Sequence, residues 1–117
     1  MAQGDAAQAD SNFKLSLKKF DDAGDKMGIS WCLCGLAGAC ALSKNAGQGA
    51  RLWGAGEALR EKIGCRIAPA SRKNRERTVA KLKAQLGDVE FDRLVAEGAA
   101  WTLDQAVEGA LQTVPET

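Results

Sequence analysis

ISWCLCGLAGACAL, residues 29–42, is the stretch on which the fold turns. At helical spacing Ile29, Leu33, Leu36 and Cys40 line one face, while Trp31, Gly35, Gly38 and Leu42 line another. A helix that is apolar nearly all round has to be buried between neighbours. The run is also too short and too rich in glycine to cross a bilayer, which takes about 20 apolar residues. It predicts a central helix from about Met27 to Ser43 in a helical protein that does not span a membrane.

The flanking sequence supplies the neighbours. From about Asp5 to Ala23, the residues Ala6, Ala9, Phe13, Leu17 and Phe20 recur every three or four positions, with Lys14, Lys18 and Asp22 opposite. That pattern is an amphipathic helix, ended by Gly24-Asp25. A third helix runs from about Gly47 to Ile63, with Leu52, Ala55, Gly56, Leu59 and Ile63 on one face and Gly64 as its close. A loop marked by Pro69 follows, and Ser71 is read as the N-cap of a fourth helix, Arg72 to Leu86. Val79, Leu82 and Leu86 form its inner stripe, and Gly87 stops it. Asp88 is read as the cap of a short fifth helix carrying Phe91, Leu94 and Val95 to near Gly98. Thr102 with Gln105 three residues later is a capping box opening a sixth, with Leu103, Ala106, Val107, Ala110 and Val114 aligned.

Composition agrees with this reading. Of 117 residues, 45% are apolar and 26% charged, while aromatics are 5% and tyrosine is absent, which argues against a sandwich or barrel. One domain over 1–117 is expected, all-α, with about 5–64 as paired helices and about 70–114 as a C-terminal cap. Histidine is absent, which removes the commonest general base near neutral pH and the commonest metal ligand. With no catalytic motif assembled, the chain reads as a non-enzyme without a cofactor. The N-terminus shows no basic region followed by an apolar one, and the cysteines are scattered, so a cytoplasmic protein with reduced thiols is expected. Cys32 and Cys34 fall about 160° apart around a helix, so Cys32, Cys34, Cys40 and Cys65 read as small hydrophobes rather than zinc ligands.

Sliding the chain on itself by 40 residues superposes Gly24 on Gly64, Phe13 on Trp53, Ala9 on Gly49 and Ser16 on Gly56. A period of that length holding two helices is the signature of an α-solenoid. Leu33, Leu36-Ala37 and Cys40, followed by Gly49, Trp53 and Gly56, stand at positions that resemble the tetratricopeptide repeat. Ala9, Phe13 and Ser16 match the second-helix positions of a preceding half repeat. The ordered motifs Ala50-Arg51-Leu52-Trp53-Gly54-Ala55, Glu57-Ala58-Leu59-Arg60, Leu86-Gly87, Glu97-Gly98 and Thr102-Leu103-Asp104-Gln105-Ala106-Val107 also resemble the C-terminal end of large bacterial signalling ATPases. These include the LuxR/MalT-type transcriptional regulators. The resemblance implies an α-α superhelix of antiparallel pairs with a helical cap, acting as a sensor and interaction array without chemistry of its own. Arg75 stands where that family places an aromatic on the buried side of the capping helix.

Candidate interaction residues follow from exposure and charge. Trp31 lies opposite the main apolar face of its helix, which makes it a candidate for an inter-repeat or binding surface. Trp53 is expected in the core, and Trp101 as a hydrophobic staple. Phe13 and Phe20 lie on the first helix, whose apolar stripe is expected to lack a partner on its N-terminal side and so to offer a route to self-association. Arg66, Arg72, Lys73, Arg75, Arg77, Lys81 and Lys83 make a basic block, and from Asp88 onward seven acidic residues stand against Arg93. Packing of the basic helix against the acidic ones would complement the charges; nucleic acid and an acidic protein are the alternatives. The expected partner is a protein, a peptide or a small effector.

Overall fold

Three glycines in the left-handed region set the layout: Gly24, Gly64 and Gly87 have φ of 70°, 71° and 82°. In the computed structural model, which describes residues 2–43 and 45–112 with side chains from Gln8 onward, each of them ends a helix. The helices are α1 (Ala2–Ala23), α2 (Lys26–Leu42), α3 (Ala46–Ile63), α4 (Arg72–Leu86), α5 (Asp88–Ala99) and α6 (Leu103–Gln112), with a 3-10 turn, Pro69–Ser71, before α4. The protein is all-helical, and no strand occurs among the described residues. No helix among them is long and apolar enough to cross a membrane.

Gly24 and Gly64 close α1 and α3 with the same hydrogen bonds. The Gly24 amide donates to Asp21 O (3.1 Å) and the Asp25 amide to Phe20 O (2.8 Å). Forty residues on, the Gly64 amide donates to Glu61 O (3.2 Å) and the Cys65 amide to Arg60 O (3.0 Å). Such paired bonds satisfy carbonyls that the helix end would otherwise orphan. Asp25 also opens α2, its Oδ1 accepting from the Gly28 amide at 3.1 Å. The capping box holds as read: the Thr102 amide donates to Gln105 Oε1 (2.9 Å), and the Gln105 amide to Thr102 Oγ1 (3.1 Å).

The 29–42 stretch is the centre of the molecule. Leu33, Leu36, Ala37 and Cys40 are fully buried against Ala50 and Leu52 of α3. α1 covers a second side of α2, with Leu17 fully buried and the rings of Phe13 and Phe20 seated over Gly35 and Gly28. α2 supplies one partner for the α1 stripe, on the side that follows α1 in sequence; the gap expected of it is on the side that precedes α1. The part of that expectation resting on Ala6 lies outside the described side chains.

α5 lies along α3 on the far side from α2, at a crossing made by Gly54 and Gly98. A Cβ on Gly54 would overlap the Val95 carbonyl, and one on Gly98 the Arg51 carbonyl. α4, although next in sequence after α3, crosses over α2, α3 and α5 instead of lying alongside α3. Its one fully buried residue, Leu82, enters beside Gly49, and Gln85 Nε2 donates to Ala41 O at 2.9 Å. α6 covers α2 and α3 from the opposite face with Ala106, Val107 and Ala110, and Trp101 lies against Gly109 two turns on.

Three local readings need correction. Ser71 makes no capping hydrogen bond, because the 3-10 turn already holds its backbone in the helical region at φ −86°, ψ −13°. Gly87, not Asp88, is the N-cap of α5, and Asp88 sits inside the first turn. The basic helix does not neutralise the acidic ones: among the described residues no ion pair joins α4 to α5 or α6. Two carboxylates of α5 pair elsewhere, Glu97 with Arg51 of α3 (Nε to Oε1, 2.8 Å) and Glu90 with Arg93 of α5 itself (Nε to Oε1, 2.7 Å).

Candidate functional site

α4 crosses the later turns of α2, with Thr78 at Gly38 and Gln85 at Ala41, and leaves the outward face of its first turns uncovered. What remains is a cleft of about 420 Å³ between the end of α1, the start of α2, the end of α3, the 64–71 connector and the start of α4. Its apolar walls are Phe20, Met27, Trp31 and Ile67; its polar groups include Arg60, Arg66 and Arg75. Trp31 is 61% exposed, and with Met27, 58% exposed, it makes an apolar patch on the cleft wall. Phe13 braces the indole edge-on, with ring centroids 5.1 Å apart and planes at 67°.

Below the cleft lies a shared ion pair. Glu57 of α3 receives Arg60 Nε at 2.9 Å and Nη2 at 2.7 Å on one oxygen, and the Arg75 guanidinium on the other. Arg60 Nη1 also donates to the Cys65 carbonyl at 3.0 Å, which ties the connector to the end of α3. The Arg75 guanidinium lies 4.7 Å from the Trp53 ring centroid, a cation–π contact with a side chain only 8% exposed. Arg75 is thereby held on the inner side of α4, stacked on an aromatic ring. Arg60 also lies 3.8 Å from Glu61 Oε1, so Glu57 and Glu61 answer the two guanidiniums of the floor, and the exposed Arg66 is the cation of the cleft without an ion-pair partner among the described residues.

The cysteines divide into two pairs. Cys32 and Cys40 are core residues, and burial pushes their thiols up to about 11 and about 12, Asp10 adding to the rise at Cys40. Cys34 and Cys65 are half-buried and line the cleft. Burial also raises the Cys34 thiol, opposed by the charges of Arg75 and Arg60 and by a hydrogen bond from Arg75.

No protein-family model, no curated protein and no solved structure matches this chain.

Of the five candidate interaction residues, Phe20, Trp31 and Arg75 line this one cleft, Phe13 stands behind Trp31, and Arg72 is exposed outside the lining. Sequence reasoning placed Arg66 only within the basic block and did not single out Arg60, Met27 or Ile67 for a site. The Glu57–Arg60 spacing of three was the available signal for Arg60. Nothing periodic marks Met27 or Ile67. On the outer side of α4, Lys73, Arg77 and Lys81 form an exposed row four residues apart. Lys83, on another side, lies 5.4 Å from the Phe91 ring centroid.

Proposed function

We propose that this chain is a non-enzymatic binding module, and that its ligand, a small effector or a short peptide segment, seats in the cleft beside Trp31. The observation that carries this is the exposed indole on the wall of a cavity whose volume falls in the usual range for small-molecule sites, about 300–1,000 Å³. A few fixed polar groups among apolar walls are what such sites use to orient a ligand. The resemblance to the ends of signalling regulators extends the proposal. The chain is then a tetratricopeptide-like sensor array with its cap, the C-terminal part of a transcriptional regulator. The matching closures at Gly24 and Gly64 and the antiparallel run α1–α2–α3 support that reading; the crossing path of α4 belongs to the proposed cap.

The test uses N-phenyl-1-naphthylamine, a neutral apolar dye that brightens when it leaves water. One-to-one binding with a Kd in the micromolar range, weakened at least tenfold by Trp31→Ala and unchanged by Leu15→Ala on the outer face of α1, is expected. Binding indifferent to Trp31→Ala, or no binding, refutes the proposed cleft.

The exposed row Lys73, Arg77 and Lys81 favours a second reading, nucleic-acid binding along α4. Its mark is affinity for duplex DNA or RNA at low salt that falls steeply as salt rises. Absence of binding at 20 mM salt removes it.

A further inference from the structure

We infer that the ligand of the cleft is a small organic anion, an aromatic or aliphatic carboxylate with an apolar body. This rests on the cleft reading above and adds the ligand's charge and size. The apolar body lies between Trp31 and Ile67, and the carboxylate meets Arg75 and Arg66. Three guanidiniums line this cleft, and they are not equivalent. Arg60 has its donors committed to Glu57 and to the Cys65 carbonyl, so it holds the wall in place. Arg75 gives one edge to Glu57 and keeps N–H groups for a further acceptor, held stiffly by its stacking on Trp53. Arg66 has no ion-pair partner among the described residues. Asp25, the carboxylate on the rim, accepts the Gly28 amide on Oδ1 and keeps its charge, so it stands as one carboxylate against the three guanidiniums of the lining. The free hydrogen-bonding capacity of the cleft is therefore donor-rich and cationic, beside an apolar slot.

A planar guanidinium matches a carboxylate in two parallel hydrogen bonds, and such charge-assisted bonds are roughly twice as strong as neutral ones. A cationic ligand meets three guanidiniums, and a neutral amide leaves part of that donor set unanswered. The cleft is also too small for a folded partner, which needs hundreds of Å² of matched surface rather than a slot.

The experiment compares 2-naphthoate, 2-naphthamide and 2-naphthylmethylammonium, which share one apolar body, by isothermal titration calorimetry on the full chain. 2-Naphthoate is expected to bind at least tenfold more tightly than the amide, and the ammonium more weakly than either. Arg66→Gln, an exposed position outside the core, is expected to lower 2-naphthoate affinity about fivefold to tenfold and 2-naphthamide affinity far less, with Leu15→Ala, outside the cleft, changing neither. Amide binding equal to that of the carboxylate, with the dye still bound, overturns the anion assignment and leaves the cleft reading standing. Failure of all three compounds and of the dye overturns both. A tripeptide with a C-terminal phenylalanine carboxylate that binds more tightly than 2-naphthoate overturns the assignment to a small molecule.

Discussion

Replacing Gly54 by alanine tests the packing that fixes α5 on α3, and so the position of everything α5 supports. At this crossing the added methyl would overlap the Val95 carbonyl oxygen. That obstacle is helical backbone, which cannot swing aside as a side-chain end can, so α5 has to move away from α3. Alanine gains about 1 kcal/mol of helix propensity over glycine. Against this, forcing a methylene into a close-packed contact costs about 1–3 kcal/mol. Displacing α5 also loosens Phe91 and Leu94, 6% and 2% exposed, each contributing about 1.5–3 kcal/mol through burial. A net loss of about 2–3 kcal/mol is expected, which for a domain of this size lowers Tm by roughly 8–12 °C. The matched control is Gly38→Ala in α2, where the new Cβ would meet only Thr78 Oγ1, at 3.5 Å, an ordinary contact. There propensity acts alone, and stability is expected to rise by about 0.5–1 kcal/mol. Thermal and urea unfolding followed by circular dichroism at 222 nm measure both. A Gly54→Ala protein as stable as the wild type refutes the close crossing.

Three other outcomes follow from named contacts. Thr102→Ala removes the capping hydrogen bond to the Gln105 amide and is expected to cost about 1 kcal/mol, whereas Ser71→Ala, which removes no such bond, is expected to leave Tm within one degree or so. Arg75→Met leaves Glu57, about one-fifth exposed, with Arg60 alone; urea titration is expected to show a loss of about 1–3 kcal/mol, little of it restored by Arg75→Lys, which has no planar fork to share or stack. Cys32 and Cys40 keep their protons in the fold to about 11 and about 12, against 9.0 for an ordinary thiol, so the unfolded chain loses protons first as pH rises. Their contribution is therefore complete below about pH 9 and is lost between about pH 9 and 12, at up to about 1.4 kcal/mol per pH unit for each thiol. Cys32→Ala/Cys40→Ala should flatten the alkaline limb of the stability–pH curve, and an unchanged limb contradicts the assignment.

The helices were legible in the sequence because their signals are local. Gly24, Gly64 and Gly87 each stop a helix through their own backbone, and Thr102 and Gln105 cap one across three residues. The burial of most of α2 could be read from a sequence apolar nearly all round, although Met27, Trp31 and Leu42 stay exposed on its outward side. The failures have a different physical source. Whether Ser71 or Asp88 caps a helix depends on the conformation of the preceding turn, and neither residue type decides that. The destination of the acidic charges on α5 depended on which helix lay beside it. Glycines at 54 and 98 permitted α3 to lie there, while α4 was lifted across the pair.

The cleft was legible only in pieces, since Trp31 and Arg75 meet across a fold rather than along a helix. An indole opposite its helix's apolar face and an arginine on the buried side of another each break the local pattern. Both departures meet in one cleft. Arg75 stacks on Trp53, reaches Glu57 and lines the same cleft as Trp31. Departures from local consistency concentrate where a protein trades packing for a site. Arg75 joins the two departures, because the guanidinium that stacks on Trp53 and pairs with Glu57 also lines the cleft beside Trp31.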